Sequence, residues 1–94
     1  MKVRFNRGAL ADLDEIFSYI AADNPKAASE FVDHIEEVVR LIGHSPEMGV
    51  RTKRPQLRMF PVANYLIIYE VVADEVIIHY VRHGARKRPW EGEP

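Results

Sequence analysis

Three apolar stretches follow one another in the last third of the sequence, and they constrain the fold more than any other feature. They occupy residues 57–62, 65–72 and 75–82, and each has the length and the β-branched and aromatic composition of a strand. The joins at residues 63–64 and 73–74 are short enough for tight hairpins. The second stretch is the richest in apolar residues, so we place it in the middle of an antiparallel sheet.

The first half of the chain predicts a short strand followed by two helices. Residues 2–5 alternate polar and apolar side chains, and Asn6 is a suitable N-cap for the helix that follows. Asn24 is a second capping residue, and Pro25 suits the first position of a helix. Gly43 is a plausible end for the second helix. Apolar residues recur at helical spacing in both segments: Leu10, Leu13, Ile16, Phe17 and Ile20, then Ala28, Phe31, Val32, Ile35, Val38, Val39 and Ile42.

These elements predict an α+β fold with the order β-α-α-β-β-β. A helical hairpin packs on one face of a small, mainly antiparallel sheet, and residues 44–56 form a loop with proline and glycine breakers. A chain of 94 residues makes one domain, which we assign to residues 1–94. The pattern leaves open which edge of the sheet the first strand joins.

Composition excludes several kinds of protein. The chain contains no cysteine, so disulfides and thiolate metal sites are absent. No segment has the length and apolar character of a membrane span, and the first residues lack the apolar core of a secretory signal. We therefore expect a cytoplasmic protein that does not bind membranes.

Charge is distributed unevenly along the chain. The formal net charge is −1, but residues 1–50 hold 5 basic and 9 acidic side chains, whereas residues 51–90 hold 8 basic and 3 acidic ones. This asymmetry predicts a local site for a negatively charged partner. The candidates are Arg58 and Arg82 on strands, Arg86, Lys87 and Arg88 after the last strand, and Arg51, Lys53 and Arg54 in the loop.

Two aspects of this basic site stay open at the level of sequence. Arg58 and Arg82 form one surface only if their strands present them on the same face. Trp90 is either a plug against the sheet or an exposed contact residue.

No pattern indicates a metal, a cofactor or a nucleophile. His79 and His83 lie on a strand, where four residues span about 13 Å, so they cannot share an ion. Glu30, His34 and Glu37 share a helix face and could in principle coordinate an ion, but we interpret them as a solvated polar face. The sequence has no glycine-rich phosphate loop and no serine in a nucleophile elbow.

Four segments together resemble the ParE branch of the ParE/RelE toxin superfamily, the toxins of bacterial type II toxin–antitoxin modules. The segments are ADLDEIFSYI at 11–20, NPKAA at 24–28, LRMFPVANYLIIY at 57–69 and HGAR at 83–86. The resemblance extends from residue 3 to residue 88. It rests on the order and spacing of the segments, since no single one is decisive.

The resemblance implies a plasmid-stabilising toxin that a cognate ParD-like antitoxin neutralises. It implies inhibition of DNA gyrase by protein binding, without catalysis, and contact with operator DNA only through the antitoxin. The site residues would be Arg58, Arg82, His83, Arg86, Lys87, Arg88 and Trp90.

The alternative implied by the same resemblance is a RelE-like ribosome-dependent mRNA endoribonuclease. Arg58, Arg82 and His83 would then be catalytic, and Lys53 and Arg54 match the lysines of that branch by rough position. No tyrosine follows Tyr80 to act as the C-terminal catalytic residue, and the indole of Trp90 cannot be a general base. A third possibility is a family member that binds its antitoxin but has lost toxicity.

Overall fold

A computed structural model describes residues 1–85 of the chain, where five strands and a pair of helices form an α+β domain. The predicted fold class is confirmed. None of the helices among these residues is both long and apolar enough to cross a lipid bilayer. The elements are β1 (Lys2–Phe5), α1 (Arg7–Asp23), α2 (Pro25–His44), a 3₁₀ turn (Pro46–Met48), β2 (Val50–Arg51), β3 (Leu57–Val62), β4 (Tyr65–Val72) and β5 (Glu75–His83).

Two asparagines define the ends of the helical hairpin, as the sequence predicts. The side-chain oxygen of Asn6 accepts a hydrogen bond of 2.8 Å from the Ala9 amide and so begins α1. Asn24 ends α1 by donating its own amide to Ile20, and it begins α2 by accepting from the Ala27 amide at 3.1 Å. One residue therefore makes the sharp turn between the two helices.

The second helix does not end at Gly43, as the sequence suggests, but continues to His44. A Cβ atom at Gly43 would lie 3.0 Å from the Met1 carbonyl oxygen, and the Met1 ammonium group donates to the Gly43 carbonyl at 2.8 Å. The glycine thus permits α2 to approach the first strand closely, and it is not a helix terminator here.

The sheet has the strand order β1-β5-β4-β3-β2, with β4 in the centre as predicted. Strand β1 is parallel to β5, and every other pair is antiparallel. The first strand therefore joins the β5 edge, and the sheet has one strand more than the sequence predicts. The additional strand, β2, has only two residues, which is too short to produce a recognisable alternating pattern.

The helices cover one face of the sheet, and no helix of residues 1–85 covers the other, which we call the open face. The main core lies between the helices and the sheet and includes Phe31, Ile35, Ile67, Tyr69 and Ile78. A smaller cluster on the open face joins buried Leu57 and Ile68 to half-buried Met59 and Tyr80. The two faces are therefore chemically distinct.

A β-bulge in β5 changes the register in the middle of the sheet. Ile68 pairs with Tyr80, whereas the next residue, Tyr69, pairs with Ile78, so that His79 is the extra residue. His79 bridges two elements, because its Nε2 lies 2.9 Å from a Glu70 carboxylate oxygen and its Nδ1 lies 3.2 Å from the Asn6 amide nitrogen. The bulge thus connects the start of α1 to the central strand.

Candidate functional site

Arg58 and Arg82, the two predicted strand arginines, lie on opposite faces of the sheet. Arg58 pairs with Tyr69, whose side chain belongs to the core beneath the helices. Arg82 pairs with Leu66, three residues earlier on the same strand and therefore on the other face. The possibility of one shared surface, which the sequence left open, is not realised.

The guanidinium group of Arg58 is occupied by the loop that precedes its strand. One terminal nitrogen donates to the carbonyl oxygen of Gly49 at 2.7 Å and to that of Glu47 at 3.2 Å. Hydrogen bonds from a charged donor to carbonyls are among the stronger ones in proteins. Arg58 therefore has a clear structural task in holding residues 47–49 against the sheet.

Arg82 is in a different situation on the open face. Its Nε atom is buried and has no hydrogen-bond partner within residues 1–85, and its guanidinium carbon lies 5.1 Å from the centre of the Tyr80 ring. The aromatic ring supports the cation in this position. A buried N–H group without an acceptor costs free energy, so an acceptor supplied from outside would stabilise this arrangement.

His83 follows Arg82 in sequence but points to the helix side of the sheet. It pairs with Tyr65, and the two rings meet edge to face with centroids 5.2 Å apart. Its Nδ1 accepts a hydrogen bond of 3.1 Å from the Ala85 amide. His83 is exposed to solvent and is separated from Arg82 by the sheet itself.

An open groove lies where the end of α1 meets the end of β5. Its volume is about 570 Å³, and Ile16, Tyr19, Tyr65, Val81 and His83 line it together with Glu15 and Asn64. The side chain of Asp12 reaches the same region, because one carboxylate oxygen accepts a hydrogen bond of 3.0 Å from the Val81 amide. The groove combines apolar walls with an acidic helix edge.

The remaining predicted basic residues divide between the loop and the end of the chain. Arg51 lies opposite Arg58 in the β2–β3 pair and lines a second depression, of about 440 Å³, with Glu47 and Arg58. Lys53 is exposed. The candidates Arg86, Lys87, Arg88 and Trp90 lie outside the residues that the structure describes.

Sequence reasoning missed Tyr80 as the partner of Arg82 and Tyr69 as the anchor of the loop. The first could have been found, because residues two apart on a strand share a face. The second could not, because the Tyr69 hydroxyl reaches residues 20 and 23 positions away, Gly49 and Pro46. Burial raises the pKa of the Tyr69 phenol, and the hydrogen bond from the Gly49 amide and the charge of Arg58 oppose that rise.

The predicted site residues among residues 1–85 do not form a single group. Arg82 and Tyr80 present a cation and a ring on one face, whereas Arg58 and His83 lie on the other. Within residues 1–85, no three His, Asp or Glu side chains are grouped so as to hold a metal ion.

The sequence model of one family, described as the ParE toxin of the type II toxin-antitoxin system parDE, matches residues 3–88. The chain belongs to the ParE toxin family. None of the curated proteins matches the sequence closely enough to count as a relative. The ParE assignment therefore rests on a match that covers nearly the whole chain.

Solved structures similar to this ParE-family chain share its fold. A structure of the chromosomal ParDE TA system from P. aeruginosa is 23% identical, with a TM-score of 0.77, and the match covers 88% of this chain and 95% of that one. The YoeB/ParE toxin from Agrobacterium tumefaciens is 13% identical, with a TM-score of 0.63 and coverage of 88% and 98%. Protein HP0894 from Helicobacter pylori is 15% identical, with a TM-score of 0.59 and coverage of 92% and 97%.

Proposed function

We propose that this ParE-family toxin inhibits DNA gyrase by binding to it, and that a ParD-type antitoxin encoded beside it keeps it inactive. The observation that carries the proposal is the match of residues 3–88 to the ParE family. The toxin would act in the cytoplasm, where gyrase and the antitoxin are found, and the module would stabilise the replicon that carries it.

Neutralisation by an antitoxin is supported by the similar structure from P. aeruginosa, which is described as a ParDE system. It is also supported by apolar side chains that α1 leaves in solvent. Leu10 and Phe17, seven residues apart on one helix face, are 55% and 40% exposed, and Tyr19 is 77% exposed. A partner that covers such side chains stabilises both itself and the toxin. The operator DNA would be contacted by the antitoxin, since the toxin carries a net charge of −1.

We assign the contact with gyrase to the open face around Arg82 and Tyr80. A cation and an aromatic ring side by side are typical of residues that dominate binding energy in protein interfaces. The buried Nε of Arg82 lacks an acceptor in the described part of the chain, and a carboxylate of the target would supply one. Arg86, Lys87 and Arg88 follow in sequence and would add positive charge to the same target contact.

The ribonuclease alternative receives less support from this arrangement. It would require Arg58, Arg82 and His83 to act on one phosphodiester group, whereas these side chains point to both sides of the sheet and Arg58 binds two loop carbonyls. General acid–base catalysis needs its groups within hydrogen-bond reach of the same atoms. We therefore propose a toxin that acts by binding and catalyses no reaction.

Supercoiling of relaxed plasmid by purified gyrase tests the proposal. Antitoxin-free toxin should inhibit the reaction in a dose-dependent manner, and stoichiometric antitoxin should restore it. Unchanged supercoiling at a large molar excess of a toxin that still arrests growth would contradict the gyrase proposal. Mapping of mRNA 5′ ends after brief expression would then test for ribosome-dependent cleavage in its place, and a folded protein that leaves growth unaffected would indicate a member without toxicity.

A further inference from the structure

The groove between the end of α1 and the end of β5 is separate from the surface that we assign to gyrase. That surface is the open face, whereas the groove lies on the helix side of the sheet. Its volume of about 570 Å³ falls within the range of about 300–1,000 Å³ that is typical of small-molecule pockets in proteins. The side chains that line it indicate what kind of molecule it could hold.

One wall of the groove is a stripe of acidic and aromatic side chains on α1. Asp12 and Glu15 are three residues apart, and Tyr19 follows four residues later, so all three lie on the same side of the helix. One oxygen of the Asp12 carboxylate accepts from the Val81 amide, and the other accepts no hydrogen bond from residues 1–85. The exposed Glu15 carboxylate forms no ion pair within the same residues. The described part of the chain therefore leaves the negative charge of this wall unpaired.

The opposite wall consists of aromatic rings held by the sheet. Tyr65 and His83 are directly opposite each other in the β4–β5 pair, and their rings meet edge to face with centroids 5.2 Å apart. The Phe31 ring of α2 also contacts the Tyr65 ring, at a centroid distance of 5.0 Å. These two contacts restrict the Tyr65 ring, so this wall is formed before any ligand binds.

The two walls together suit a cation that has an apolar body. The faces of tyrosine rings attract ammonium groups that come within about 6 Å of the ring centre, and Tyr19, 77% exposed, offers its ring to such a group. No lysine or arginine of residues 1–85 lines the groove, so this part of the chain supplies no cation of its own. Ile16 and buried Val81 add apolar surface, which favours methylene groups over a hydrated inorganic ion.

We propose that the groove binds a small aliphatic amine, a diamine or polyamine, in its protonated form. One ammonium group lies against the Tyr19 and Tyr65 rings and pairs with the Glu15 carboxylate, while the methylene chain packs on the apolar surface. A second ammonium group meets the free oxygen of Asp12, about one helical turn from Glu15. The inference goes beyond the proposed function and does not depend on it.

Titration of the antitoxin-free toxin with 1,4-diaminobutane, followed in ¹H–¹⁵N correlation spectra at constant ionic strength, tests the inference. The amide resonances of Ile16, Tyr19 and Asn64 should shift to saturation, with a dissociation constant on the order of 1 mM. Two matched compounds are the controls. Magnesium chloride supplies the same charge without methylene groups, and 1,4-butanediol supplies the same carbon chain without charge, so neither should cause these shifts.

Substitutions in the α1 wall test the assigned contacts. Glu15→Gln removes the charge and Tyr19→Ala removes the ring, and each should weaken binding at least about fivefold. The matched control is Glu30→Gln, the same charge change at an exposed position of α2 outside the groove, which should stay within about twofold of wild type. All three positions are exposed, so the variants should remain folded, which thermal unfolding verifies.

Several results would overturn the inference. The absence of saturable shifts would show that the groove does not bind the diamine. Equal shifts with magnesium chloride, or equal losses in Glu15→Gln and Glu30→Gln, would mean that the amine only screens the acidic helices. Saturation that appears only after Arg86, Lys87 and Arg88 are replaced by glutamine would mean that the chain's own basic residues fill the groove. Gyrase inhibition and antitoxin binding are measured separately, so the proposed function does not fail with the inference.

Discussion

The hydroxyl group of Tyr69 lies 2.9 Å from the amide nitrogen of Gly49 and accepts its hydrogen. The same hydroxyl donates to the Pro46 carbonyl, so that one buried side chain of the central strand holds both ends of the 3₁₀ turn. Gly49 is required at this contact, because a Cβ atom there would lie 2.6 Å from the hydroxyl oxygen. The loop between α2 and β3 is therefore anchored from the core.

Tyr69→Phe should lower the free energy of unfolding by about 1–3 kcal/mol. The substitution removes the hydroxyl and leaves the Gly49 amide and the Pro46 carbonyl without their partner, while the ring keeps its packing. Urea titration at neutral pH measures the difference. A change within about 0.3 kcal/mol would show that water replaces the hydroxyl without loss.

The stability difference between wild type and Tyr69→Phe should depend on pH. Burial raises the pKa of Tyr69 in the folded state, so its contribution to stability is complete below the unfolded pKa of about 10 and is lost as the pH rises further. The stability difference between wild type and Tyr69→Phe should therefore shrink above about pH 10. A difference that stays constant between about pH 9 and pH 11 would contradict the assignment.

The two hairpin turns contain alanines in a backbone conformation that favours glycine. Ala63 has a φ of 53° and Ala73 a φ of 55°. We expect Ala73→Gly to stabilise the protein by about 0.5–1 kcal/mol, because glycine adopts this conformation without a Cβ clash. The matched control is Ala11→Gly in the exposed part of α1, which should destabilise by about 1 kcal/mol. The unfolding temperature of each variant is compared with that of wild type. A shift in the same direction for both variants would be inconsistent with a left-handed turn at Ala73.

A fourth prediction concerns the link from Asn6 through His79 to Glu70. The Asn6 side-chain oxygen accepts from the Ala9 amide, so its NH₂ group donates to His79 Nδ1, and His79 donates from Nε2 to Glu70. Asn6→Asp keeps the helix cap but turns a carboxylate oxygen toward Nδ1. The variant thus loses the side-chain donor to His79 and keeps the acceptor for the Ala9 amide.

Because a carboxylate cannot donate the hydrogen bond that the Asn6 NH₂ group gives to His79, the Asn6→Asp protein should be less stable than wild type. We expect a loss on the order of 1 kcal/mol, measured by urea titration of both proteins. Equal stability of the two proteins would mean that His79 does not accept from residue 6. The control Asn24→Asp changes the other helix cap, whose side-chain oxygen accepts from the Ala27 amide, and should show a smaller loss.

Local chemistry explains why the helices and hairpins could be predicted from the sequence. Asn6, Asn24 and Pro25 act through residues within one turn of them, and each hairpin is closed by two residues between regular strands. The place of β1 beside β5 could not be predicted, since it depends on a pairing between residues more than 70 positions apart. Strand β2 was missed because two residues are too few to show the alternation of polar and apolar side chains that indicates a strand.

The candidate site was predicted only partly, for a related reason. Arg58 and Arg82 were identified as strand arginines from their positions, but their relative orientation depends on the pairing register across β4. The bulge at His79 adds one residue to β5 and so decides which side chains near its end share a face with those before it. The pattern of polar and apolar residues in β5 does not reveal such a bulge.

The central claim is that the open face around Arg82 is the surface with which the toxin acts. Charge reversal at this position, Arg82→Glu, should abolish inhibition, because it replaces the cation that the target carboxylate would meet. The matched control is Arg40→Glu on α2, the same charge change at an exposed position where the arginine pairs only with Glu37 within residues 1–85. An exposed pair of this kind adds little stability, so the control should stay folded.

The measurement is the toxin concentration that gives half-inhibition of gyrase supercoiling for wild type, Arg82→Glu and Arg40→Glu, with thermal unfolding recorded for each protein. The account predicts that Arg82→Glu raises this concentration at least about tenfold while remaining folded. Arg40→Glu should stay within about threefold of wild type. A folded Arg82→Glu protein that inhibits gyrase as well as wild type would contradict the account.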